Sequence, residues 1–150
     1  MQTEQPNPAM KYIRSKDTKI EVMFRKALWH EGIRYRKNYK ALPGCPDIAI
    51  TKHKIAVFCD GEFWHGKDWA KKEPRIKSNR EYWIPKIERN IQRDNEIDQQ
   101  LKSMGWVVVR FWGLDIKKNL PACVDCIKDM IFQVKIEAYN YSEINVDNNT

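Results

Sequence analysis

From Ile55 to Cys59 the chain reads Ile-Ala-Val-Phe-Cys, without a polar side chain, and then stops at Asp60. An apolar run this short suits a central strand buried on both faces. Such a strand needs neighbours along its edges and a layer over each face. The fold class this predicts is α/β, with a central mixed β-sheet flanked by helices. Asp47 to Thr51 reads as a neighbouring strand, joined by the short basic link Lys52-His53-Lys54. If the two runs pair as a hairpin, Asp47 and Asp60 meet at one end of the sheet. Carboxylates brought together repel unless a cation sits between them. A hard divalent ion such as Mg²⁺ accepts oxygen ligands in that geometry.

The other elements follow from caps, turns and periodicity. Residues 1–9, with Pro6 and Pro8, read as a loose lead-in. Thr18-x-x-Glu21 is a capping-box pattern and starts a helix. Val22, Phe24, Ala27, Leu28 and Trp29 suit its buried stripe, and Gly32 stops it. Ile33 to Arg36 alternates as a half-buried strand would. Residues 66–82 form a long basic connection. Pro85 suits the first turn of a helix to about Ser103, with Ile87, Ile91 and Leu101 facing inward. Trp106 to Trp112 is a further strand. A last helix covers about Pro121 to Glu137. The domain is thus expected over residues 10–137, and residues 138–150 as a polar tail.

The formal charge is +7, and it is uneven. Residues 135–150 carry a net −2, which leaves +9 on the rest. A basic body of this kind suits a polyanion, most commonly nucleic acid. No apolar run approaches the roughly 18 residues that cross a membrane. A cytosolic, membrane-free protein is expected. Cys45, Cys59, Cys123 and Cys126 are then expected as free thiols.

Several residues could carry chemistry. Asp47 reads either as a turn residue after Pro46 or as a metal ligand, and the second carboxylate at Asp60 favours the ligand. Glu21 reads as the capping-box acid, though a helix on the sheet could also present it to a metal. His65 shares a segment with Asp60 and follows Phe63 and Trp64. An imidazole there could take a proton from a metal-bound water. Phe63, Trp64 and Trp83 are either core residues or wedges between base steps. Lys71, Lys72, Arg75, Lys77 and Arg80 would then bind phosphates. Asp94, between Arg93 and Asn95, reads as a surface ion-pair residue.

These segments together resemble a known family, the very-short-patch-repair (Vsr) endonucleases of the PD-(D/E)XK nuclease superfamily. The matching segments include Ile13 to Thr18 with Glu21, Leu42 to Asp47, and Val57 to Gly66. Tyr82 to Asn90 with Arg93-Asp94, and Leu101 to Trp112, follow in the family's order. The resemblance implies a Mg²⁺-dependent cut in DNA. Asp47 would be the main ligand, assisted by the backbone carbonyl of Cys59, with Asp60 a further candidate. His65 would act at the catalytic water, and Glu21 and Asp94 would hold metal-bound waters or orient His65. Phe63, Trp64 and Trp83 fall where the family inserts aromatics beside a mismatch. The segment Met10 to Lys16, with Arg14 and Lys16, would reach along a groove.

The chain also departs from the family. Well-known members have a histidine where this chain has Asp60, and a structural zinc where it has Glu62, Lys67, Trp69 and Leu114. No structural zinc is expected. Three readings follow: a repair nickase acting at a mismatch or specific site, a nuclease of restriction, phage defence or homing, and a non-catalytic DNA-binding module. The expected partner is double-stranded DNA, met by a monomer, with repair or defence proteins as further partners at the bacterial nucleoid.

Overall fold

The computed structural model describes residues 18–62 and 66–148. Helix α1 (Lys19–His30) leads into strands β1 (Arg36–Lys37), β2 (Ile48–Ile50) and β3 (Ile55–Asp60). A short helix α2 (Trp69–Lys72) and a 3₁₀ turn (Glu73–Arg75) precede the long helix α3 (Arg80–Ser103). Strand β4 (Val107–Trp112) and helices α4 (Gly113–Lys118) and α5 (Leu120–Asp147) complete the chain. The sheet order is β1-β2-β3-β4. β2 pairs with β1 and β3 antiparallel, and β3 pairs with β4 parallel, giving the expected mixed sheet.

β3 is central because both of its faces are covered. Ile55 and Val57 join Phe24 and Leu28 of α1, Ile116 of α4 and Ile127 of α5 in the larger core. Ala56 and Phe58 point the other way and meet Leu101, with Ile97 packed alongside. The period of two thus divides one apolar strand between two helical layers. β4 alternates in step. Phe111 packs edge-on against Phe24, 5.3 Å between centroids, while Val108 lies on the α3 side.

Several element boundaries differ from the sequence reading. β1 holds only Arg36 and Lys37, because Asn38 turns the chain with φ 46°. Arg34 instead folds back over Trp29, its guanidinium 3.6 Å from the ring centroid. α3 begins at Arg80, which puts Pro85 in its second turn, where the missing amide costs one bond near a helix end. The basic connection is partly helical through α2, and α4 was not anticipated. α5 runs on to Asp147 instead of ending near Glu137. No Gly or Pro interrupts residues 122–147, and Tyr139 donates to Glu143 one turn on, at 2.7 Å.

Gly66 ties the chain after β3 to α3. Its φ is +69°, and a Cβ there would overlap Ile91 Cδ1 and lie 2.8 Å from Cγ1. Gly66→Ala combines left-handed strain with overpacking, so we expect a loss of about 2–4 kcal/mol of stability. Urea unfolding checks this, and a loss within error of zero would mean that the contact is not tight.

Candidate active site

The end of β3 is where the apolar layers give way to charge. Asp47 precedes β2, and its Oδ2 accepts the Cys59 amide at 2.7 Å. The β2–β3 hairpin thereby sets the carboxylate beside the last residues of β3. In an extended strand a residue's N–H and C=O leave from the same edge. The Cys59 carbonyl therefore leaves β3 on the side its amide uses to reach Asp47. Glu21 enters from α1. Its amide donates to Thr18 Oγ1 at 3.3 Å, as the cap pattern predicts. Its side chain is nevertheless buried, 3.8 Å from Arg25. The cap and the site are therefore compatible uses of one residue.

Asp60 is buried, and both of its oxygens meet Arg110 Nη1, at 3.1 and 3.0 Å. The same guanidinium reaches Asp98 at 2.7 Å and comes within 3.8 Å of Asp94. Its face covers Phe58, 4.1 Å from the ring centroid. Asp60 was expected as a further metal ligand. Here its two oxygens engage an internal cation. Asp94 does not stand as an ordinary surface ion-pair residue, because it faces the sheet.

A cleft of about 580 Å³ is lined by Glu21, Asp47, Cys59, Asp60, Arg93, Asp94 and Arg110, among others. It thus gathers every proposed acid of the sequence reading. His65, Phe63, Trp64, Arg14 and Lys16 lie outside the described residues. Trp83 is half-buried, edge-on to Tyr82 at 4.8 Å. Lys71, Arg75 and Lys77 are exposed and Lys72 partly so, as phosphate contacts require. Arg80 is exposed as well, with its guanidinium already engaged. Its guanidinium donates to the carbonyls of Glu73 and Ile76 and pairs with the Glu73 carboxylate at 2.6 Å. It therefore fastens the 3₁₀ turn to the start of α3.

Arg110 and Asp98 were missed by sequence reasoning. A signal for Asp98 was present. The inward stripe of α3 runs Ile87, Ile91, Asp94, Asp98, Leu101, and two acids interrupt it. Buried acids in a row require a cation opposite them. Arg110 is the one basic residue in β4.

Burial pushes the Asp47 carboxyl up to about 7, and the charges of Glu21 and Asp60 add to the rise. The Cys59 amide and Arg25 oppose it. Burial likewise raises the Cys59 thiol, with the three acids adding to it. That sulfur is held protonated at neutral pH. Arg110 loses by burial but gains more from Asp98, Asp60 and Asp94, and it is held above its ordinary value.

The donor set fits a hard divalent ion. Asp47 and Glu21 are carboxylates that repel each other, and the Cys59 carbonyl lies on their side. Among the described residues no three His, Cys, Asp or Glu side chains form a ready-made metal cage. An open site with one or two carboxylates, and water for the remaining positions, is how Mg²⁺ is commonly bound.

A four-stranded mixed sheet flanked by helices, with acids at one end of the central hairpin, defines a nuclease of the PD-(D/E)XK class. The profile of the family described as DNA mismatch endonuclease Vsr matches residues 1–71. The type II nicking enzyme V.NmeDIP of Neisseria meningitidis serogroup C is 49% identical over 128 residues, 85% of this chain and 86% of the relative. The type II nicking enzyme V.HpaIIP of Haemophilus parainfluenzae is 51% identical over 106 residues, 71% of this chain and 75% of the relative. The DNA mismatch endonuclease Vsr of Escherichia coli K12 is 32% identical over 104 residues, 69% and 65% of the two chains. The chain belongs to the Vsr family of nicking endonucleases, and it is a metal-dependent, hydrolytic nuclease.

The Asp47 shift has a sign that stability can test. The folded carboxyl holds its proton up to about 7, whereas the unfolded one releases it near 3.8. Without metal, the folded state therefore loses stability as pH rises between those values, and the loss is constant above them. Asp47→Asn removes this dependence. In EDTA we expect the variant to be more stable than the parent by roughly 1–3 kcal/mol at pH 8, with a smaller gain at pH 5. Thermal melts at both pH values measure this. A variant destabilised equally at both would contradict it.

Proposed function

We propose that this chain is a Mg²⁺-dependent endonuclease that nicks one strand of duplex DNA, of the restriction-associated kind. The observation that carries this reading is the contrast among relatives. Proteins named type II nicking enzymes share 49% and 51% identity with the chain, and the DNA mismatch endonuclease shares 32%. A second reading, a mismatch-repair nickase, draws support from the mismatch-endonuclease profile over residues 1–71. The acid set in the cleft argues against a module that only binds DNA.

The residues divide the work as follows. Asp47, Glu21 and the Cys59 carbonyl would hold the ion, which when bound would supply polarisation of a phosphate and a lowered pKa for a bound water. Asp94 holds water at the cleft wall. His65 takes the proton of the attacking water. The exposed Lys71, Arg75 and Lys77, with Lys72, Arg14 and Lys16, track phosphates. Phe63, Trp64 and Trp83 wedge into the base stack. One acid-lined cleft among the described residues suits a monomer that cuts one strand. The reaction takes place in the cytoplasm, on the bacterial nucleoid.

Supercoiled plasmid incubated with Mg²⁺ should convert to the open circle, and EDTA should stop the conversion. Asp47→Ala should slow it on the order of 10³-fold, which corresponds to several kcal/mol of lost charge stabilisation. Cutting that survives this substitution would remove Asp47 from the site. Duplexes carrying single mismatches separate the two readings. Rates within about tenfold of matched DNA fit the restriction-associated enzyme, and a preference of roughly a hundredfold or more fits repair.

A further inference from the structure

Arg110 stands between two groups of acids. On its own side of the sheet, Asp60 of β3 gives it both oxygens at 3.0 and 3.1 Å, and Asp98 of α3 binds it at 2.7 to 3.1 Å. Asp94, one helical turn from Asp98, lies 3.8 Å away and offers its carbonyl at 3.5 Å. The register explains the placement. Arg110 pairs across the sheet with Phe58, two residues before Asp60. It therefore leans over the Phe58 ring toward the strand end. Asp47, by contrast, is engaged by the Cys59 amide, with Arg25 acting on it by charge alone.

We propose that Arg110 is a positioning residue that acts as a fixed internal cation, occupying Asp60 so that the cleft takes one divalent ion at Asp47 and Glu21 instead of two. This inference rests on the metal reading above. Both Asp60 oxygens share Arg110 Nη1, while Nε and Nη2 hold Asp98, so one guanidinium already neutralises the charge that an ion would need at Asp60. The same guanidinium holds Asp98 and lies 3.8 Å from Asp94 on one face of α3, which sets the depth of that helix against the sheet. An acid at the end of the central strand is thereby tolerated without a second metal.

Counting bound Mn²⁺ on the full chain by the loss of its free electron-spin signal tests this, without DNA or cutting. The parent should bind one ion. Asp60→Asn should also bind one, with its Kd within about twofold of the parent. Arg110→Gln should bind two, because Asp60 is released, and the double variant should return to one. Thermal melts establish that each variant is folded; if Arg110→Gln does not fold, the parent and Asp60→Asn decide the question. Two ions on the parent, falling to one in Asp60→Asn, would overturn the proposal and leave the metal reading intact. A folded Arg110→Gln that still binds one ion would overturn it as well. No Mn²⁺ on the parent, or a count unchanged by Asp47→Asn, would overturn the metal reading, and this inference with it.

Discussion

β3 must satisfy two opposed demands, because it lies under helices on both faces and ends on a buried acid. A buried carboxylate costs several kcal/mol unless a counter-charge and hydrogen bonds accompany it. Here the cost is offset on the α3 side. As β3 changes from Ala56 and Phe58 to Asp60, the facing stripe of α3 changes from Leu101 and Ile97 to Asp98 and Asp94. Arg110 of β4 fills the space between them. Strand and helix become polar at the same depth, so the apolar core ends in a charged floor and not in a void. The cleft is that floor.

The floor holds two kinds of carboxylate. Asp60, Asp94 and Asp98 share a guanidinium. Asp47 and Glu21 face Arg25 at longer range, and the Asp47 proton is held up to about 7. The demand for a further cation is therefore local. It falls at the start of β2, where the Cys59 amide already fixes one Asp47 oxygen. This arrangement also answers how an acidic cleft can meet a polyanion. The acids are recessed, while Lys71, Arg75 and Lys77 are exposed. Long-range attraction is thus supplied from the surface, and only a bound ion would bring a phosphate down to Asp47.

Much of this was legible in the sequence because it depends on period and spacing. The apolar run at Ile55 identifies the central strand, and the link Lys52-His53-Lys54 identifies the hairpin that brings Asp47 to its end. Thr18-x-x-Glu21 identifies the start of α1. What escaped depends on partners distant in sequence. Asp60 and Arg110 are 50 residues apart, and nothing local to either predicts the pairing. Asp94 looked like a surface residue because its immediate neighbours are polar. Its place in the stripe with Ile87 and Leu101 is the better guide. Arg80 lies in a basic run, and nothing local to it shows that it also holds the carbonyls of Glu73 and Ile76. The far half of α5 reads as polar tail because its periodicity has no sheet to match.

The four positions that the family resemblance associates with zinc ligands are Glu62, Lys67, Trp69 and Leu114 here, and they make contacts of their own. Three of them touch directly. Glu62 Oε1 accepts the Leu114 amide at 2.6 Å, joining the end of β3 to the first turn of α4. The Lys67 amide donates to the Glu62 carbonyl at 3.0 Å, and its ammonium lies 5.9 Å from the Trp112 ring. A charge-assisted hydrogen bond contributes roughly 1.5–3 kcal/mol, far below the roughly 10 kcal/mol of a structural zinc. The remaining hold on this connection must come from packing. Gly66 supplies it by letting the backbone lie against Ile91 and Ile87 of α3. α3 also carries Asp94 and Asp98, so the same helix that braces the connection after β3 is fixed at its other contact by Arg110. The connection and the acid floor therefore share one support. A substitution that shifts α3 should disturb both together, whereas a zinc crosslink would have held the connection independently of the cleft.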